Sequence, residues 1–136
     1  MATLADDALV DRATFERARA ELGANFVRIL GYFREDGVRS VAAIEAAMHA
    51  GSATAMVIPA HTLKGESRQF GADLLADLAE TIEMTARDCV ESHEPPTETF
   101  EHIAKLRQTF EATLALLQRE ASPLVERRMG FGRRLS

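Results

Sequence analysis

Apolar residues recur along this chain at the helical period, and little interrupts them. Phe26, Leu30, Phe33, Val41, Ile44 and Met48 fall on one stripe when each residue is turned by about 100° from the last. Eight glycines and four prolines in 136 residues leave few breaks, and strand-like alternation is nearly absent. Ala, Leu, Glu and Arg dominate, all of them good helix formers. Helices that each carry one apolar stripe must bury it against one another, which restricts the chain to an all-α bundle.

Five helical stretches follow from the stripes and their punctuation. The first runs from about Asp11 to Leu22, with Asp11 or Thr14 as its N-cap and Gly23 as its stop. The second runs from about Ala24 to Ala50. Asp36-Gly37 looks like a break, but the stripe keeps phase across it, which favours one long helix with Gly37 on its packed face. Ser52 caps a third helix that ends near Phe70, and Pro59 predicts a kink or a ragged first turn there. The fourth spans about Ala72 to Glu91 with Leu74, Leu75, Leu78, Ile82 and Cys89 inward. After the loop Ser92-His-Glu-Pro-Pro, Thr97 opens the fifth, with Phe100, Ile103, Leu106, Phe110, Leu114 and Leu117 inward. The expected fold is an antiparallel up-and-down four-helix bundle with a short extra N-terminal helix over residues 1–121. Residues 122–136 read as a basic, flexible C-terminal tail.

Charge and composition exclude several functions. Sixteen Lys and Arg against 21 Asp and Glu give a net charge of −5. Residues 122–136 hold an excess of three positive charges, so residues 1–121 carry −8. That argues against nucleic acid, which needs a basic face. No run of apolar residues is long enough for a transmembrane helix, and no signal peptide is visible, so no membrane role and a cytoplasmic location are expected. The single cysteine, Cys89, rules out an internal disulfide framework and a cysteine-rich zinc site. His49, His93 and His102 lack the paired Glu-x-x-His spacing of a bundle metal site, and no bound metal is expected.

The segment from His61 to Gly71, His-Thr-Leu-Lys-Gly-Glu-Ser-Arg-Gln-Phe-Gly, carries the chemistry. With His61 at 0° on the helical wheel, Leu63 lies at about 200° and Phe70 at about 180°, which defines the buried face. His61 points away from it. Gly65, Lys64, Arg68 and Val57 surround the ring. An imidazole is nucleophilic near neutral pH. Lys64 and Arg68 can neutralise an incoming phosphoryl group. Gly65 leaves space for the backbone of a partner. An isolated exposed histidine would be read as surface decoration, as would cations on a solvated face; their combination at helical spacing argues for a site. The chain has no Gly-rich phosphate loop for ATP and no carboxylate cluster placed to hold magnesium.

His61-x-Leu63-Lys64-Gly65-x-Ser67-x-x-x-Gly71, followed by Ala72-x-Leu74-Leu75-x-x-Leu78-x-x-x-Ile82-Glu83, resembles the histidine phosphotransfer (HPt) domain of bacterial multistep phosphorelays. The specific part covers about 23 residues, and helix order extends the likeness over about residues 11–120. The resemblance implies a four-helix bundle whose exposed His61 is the phospho-acceptor. Lys64 then assists electrostatically, Gly65 gives the partner room, and Ser67 and Gly71 are structural. It implies receiver domains of response regulators and hybrid histidine kinases as partners, with Mg²⁺ on the receiver and no cofactor of the chain's own. The chain would be a phosphoryl carrier without autonomous kinase activity. Exposed Val57 and Ile58 are expected to dock the receiver, and Arg68 and Gln69 to border it. Pro59 and the bulky Arg68-Gln69-Phe70 depart from the family pattern. Two other readings stand beside this one: a helical adaptor that binds a receiver or kinase without carrying phosphate, and a bundle that dimerises like the dimerisation domain of a sensor kinase, against which the missing nucleotide-binding domain counts.

Overall fold

The computed structural model describes residues 6–121, which form six α-helices and no strand. They are α1 (Asp6–Leu9), α2 (Arg12–Leu22), α3 (Phe26–Ala50), α4 (Ala53–Gln69), α5 (Asp73–Ser92) and α6 (Phe100–Glu120). Short 3₁₀ turns, Gly23–Asn25 and Thr97–Thr99, lead into α3 and α6. Short connections make neighbours antiparallel, and α3, α4, α5 and α6 close a four-helix bundle in which α6 returns to α3. Residues 122–136, read as a tail, lie outside the described residues.

The expected stripes form the core. Phe26, Leu30, Phe33, Val41 and Ile44 are buried along α3, which runs unbroken through Gly37 for 25 residues. Gly37 is there because α6 comes close. A Cβ at that position would lie 2.6 Å from Cζ of Phe110. Five rings in four pairs join α3 and α6 to α2 and the α4–α5 turn: Phe15 meets Phe26, Phe26 and Phe33 both meet Phe70, and Phe33 meets Phe110, at centroid distances of 5.4–5.9 Å. Each such pair contributes about 0.5–1.5 kcal/mol beyond the apolar area it buries.

The N-terminal helices close one end of the bundle. Asp11 caps α2 by accepting from the Thr14 amide at 3.1 Å. Its own amide donates to the Gly71 carbonyl at 2.8 Å. Gly71 ends the α4 hairpin turn at φ +74°, where the Ala72 amide reaches back to the Ser67 carbonyl at 2.9 Å. No other residue fits there. The left-handed backbone strains an L side chain, and an added Cβ would lie 2.8 Å from the Asp11 carbonyl. This turn sets the register of α5 against α4.

Three details differ from the sequence expectation. The four-residue α1 was not expected; it delivers Leu9 and the following Val10 to the core. Pro59 does not interrupt α4, which is helical from Ala53 to Gln69 with Ser52 capping it through the Ala55 amide at 3.1 Å. A helix already anchored on both sides by buried Met56, Ala60 and Leu63 absorbs one missing hydrogen bond. Phe100 is 61% exposed rather than inward. The 3₁₀ turn ahead of α6 buries Thr99 in its place, with the Thr99 hydroxyl donating to the Pro96 carbonyl.

Candidate functional site

His61 lies in the middle of α4, 10 residues before Gly71. In an antiparallel hairpin, residues equally far from the turn stand side by side, and Glu83 lies 12 residues after Gly71 on α5. The two side chains meet. His61 Nδ1 is 3.0 Å from Glu83 Oε2, with the ring side chain 57% exposed and the carboxylate 5% exposed.

Glu83 is the hub. Lys64 Nζ stands 2.9 Å from its Oε1. Arg87, one turn along α5, donates to Oε2 through Nε at 3.0 Å and Nη2 at 2.8 Å. Burial alone would raise the carboxyl pKa; hydrogen bonds from Lys64, Arg87 and His61 outweigh it and lower the pKa from the usual 4.5 to about 2. Glu83 is therefore a carboxylate, able only to accept, so His61 Nδ1 carries the proton that joins them. In the neutral ring Nε2 is then the nitrogen with the free lone pair. Two cations against one anion leave the cluster with an excess positive charge beside the ring.

Gly65 lies one turn beyond His61 and is exposed. A Cβ built there meets nothing within 4 Å. The fold does not require glycine at this point, although mid-helix glycine costs about 1 kcal/mol against alanine. Val57 is half-buried and Ile58 is 67% exposed, one turn before the histidine. Ser67 is fully buried on the core side of α4, and its hydroxyl finds no partner among the described residues. Its size, not its polarity, suits the packing.

Arg68 does not stand free beside the ring. Its guanidinium reaches across to α5, 2.7 Å from Glu80 and 3.3 Å from Asp77. The wheel of α4 alone could not show those acids. Gln69 is exposed at the last residue of α4. Sequence reasoning gave no role to Glu83 or Arg87. Their signal was present, since Glu83 is a charged residue at the edge of the buried stripe Leu75, Ala79, Ile82, Ala86, with a cation four residues on.

Comparison with known proteins bears on the fold and the family. The profile of the Hpt domain family matches residues 28–120. The crystal structure of histidine-containing phosphotransfer protein B from Pseudomonas aeruginosa PAO1 superimposes with a TM-score of 0.74, over 82% of this chain and 93% of that one, at 24% identity. At that identity the likeness speaks for the fold. No curated protein matches the sequence significantly. Among the described residues no helix is long and apolar enough to cross a membrane.

Proposed function

The chain belongs to the Hpt domain family, the histidine phosphotransfer modules of phosphorelays, and from that premise we propose that His61 relays a phosphoryl group between the aspartates of receiver domains. The observation that carries this reading is the exposed ring held through Nδ1 by a buried, ionised carboxylate.

In the forward step the lone pair of Nε2 attacks the phosphorus of an aspartyl phosphate on the receiver. The N–P bond forms, the P–O bond to the aspartate breaks, and the carboxylate departs with its electron pair. Nδ1 keeps its proton, so the ring becomes cationic. Glu83, 3.0 Å away, stabilises that charge at the atom where it develops. The reverse step returns the phosphoryl group to a second aspartate. Lys64 and Arg87 supply positive potential toward the phosphoryl oxygens, and the magnesium of the chemistry belongs to the receiver. Gly65 lets the receiver backbone approach, and Val57 and Ile58 offer it apolar contact. The module is a carrier: it holds the group between partners and has no turnover of its own. Its work is done in the cytoplasm, where receiver domains reside.

The test is transfer from a phosphorylated receiver to the wild type and to His61→Gln. Acid-labile, alkali-stable label on the wild type alone is expected. Label retained by the variant refutes the assignment. Receivers that bind measurably but never transfer would favour the phosphate-independent adaptor.

A further inference from the structure

The His61 site continues into a groove between α4 and α5 of about 560 Å³. Val57, Ile58 and Val90 give it an apolar surface, with Thr54 and Arg87 also in the lining; Ile58 is 67% and Val90 39% exposed. Its α5 rim carries Asp88 and Glu91. Both are exposed, and neither carboxylate takes part in an ion pair among the described residues. The neighbouring Arg87 also lines the groove, but its guanidinium pairs with Glu83 at 2.8 Å rather than with either acid.

The placement of these acids opposes the local field. They lie near the C-terminus of α5, where the helix dipole is negative, and its last turn holds no basic residue. Folding would favour the opposite sign. On the other side of His61 the acids Glu80 and Asp77 share one cation, Arg68. Asp88 and Glu91 are thus the acids of the groove that no cation holds among the described residues.

A partner that delivers phosphate to His61 must cover this groove. A standard interface buries about 800 Å² on each side, a disc of about 16 Å radius. Asp88 and Glu91 follow Glu83 by five and eight residues, a rise of about 8 and 12 Å along α5. Resting on the phosphotransfer reading, we propose that the α4–α5 groove selects receivers that present an apolar side chain flanked by a lysine or arginine, the cation pairing with Asp88 and Glu91. Such pairing acts mainly on encounter rate and partner choice.

Two measurements separate the proposal from the reading beneath it. Wild-type protein is first incubated with phosphoramidate, a small phosphoryl donor that needs no docking; absence of label at His61 overturns the phosphotransfer reading and the proposal together. Transfer is then measured from one receiver with a lysine beside its apolar docking face, and from the same receiver with that lysine changed to glutamate. The wild type is expected to take phosphate at least about tenfold faster from the lysine form at low salt, with the advantage fading as salt rises. The double variant Asp88→Lys, Glu91→Lys is expected to prefer the glutamate form. Its melting temperature should be no lower than that of the wild type, since the new charges suit the helix end. Equal rates on both receivers with His61 still labelled by phosphoramidate overturn the proposal. So does a wild-type dimer that the double variant dissolves without any change in receiver preference.

Discussion

His61 Nδ1 and Glu83 Oε2 lie 3.0 Å apart although 22 residues separate them along the chain. The contact decides which ring nitrogen is left for chemistry. It also places a buried anion where the phosphorylated ring acquires charge, so positioning and electrostatics come from one residue.

Glu83→Gln tests that double role. The amide can still accept from Nδ1–H, but the charge is lost and Lys64 and Arg87 lose their common partner. A charge-assisted hydrogen bond is worth about 1.5–3 kcal/mol, so transfer should slow by about 10- to 100-fold. Stopped-flow transfer from a phosphorylated receiver reads this directly. Wild-type rates in a folded variant would remove Glu83 from the mechanism.

Gly65→Ala separates stability from function. An alanine Cβ meets nothing within 4 Å, so the helix should gain about 0.5–1 kcal/mol. A higher melting temperature together with weaker receiver binding is expected. If the variant is stabilised and the receiver binds it as tightly as wild type, the glycine does not serve partner approach.

Much of this site was legible because its α4 half obeys one rule. His61, Lys64 and Gly65 lie within one turn of one helix, and a wheel places them without knowledge of any other element. Gly37 and Gly71 were legible for a similar local reason, one lying on an apolar stripe and the other at a helix end. Glu83 and Arg87 depend on how α5 sits beside α4, which the Gly71 turn fixes in three dimensions. The same blindness set Arg68 beside the ring, when the acids of α5 hold it. Phe100 was misplaced because a 3₁₀ turn shifted which residue enters the core first. Residues 122–136 lie outside the described residues, and the expected tail stays an expectation.

A second carboxyl predicts a pH dependence of stability. Burial and the adjacent Asp36 carboxyl raise the pKa of Glu66 from 4.5 to about 7, with Arg39 of α3 opposing. The folded state therefore holds this proton more tightly than the unfolded chain. The stabilisation is complete below pH 4.5 and is lost as pH rises toward 7. Glu83 behaves oppositely: its contribution is present above pH 4.5 and is lost as pH falls toward 2. Glu66→Gln should accordingly melt higher than wild type at pH 8, with little difference at pH 4. A melting difference that does not vary with pH would contradict the assignment.

Gly37→Ala probes the α3–α6 contact. The new methyl collides with Phe110, whose ring also packs on Phe33 at 5.9 Å and has little freedom to move. A loss of about 1–3 kcal/mol is expected by chemical denaturation. A neutral result would mean that the ring rearranges at no cost.

The most direct test of the central claim is ³¹P–¹⁵N correlation NMR of the ¹⁵N-histidine-labelled protein after phosphorylation by phosphoramidate. Phosphorus bonded to Nε2 of His61, with Nδ1 still protonated, is the predicted result. Phosphorus on Nδ1, or no phosphorus on His61, would contradict it.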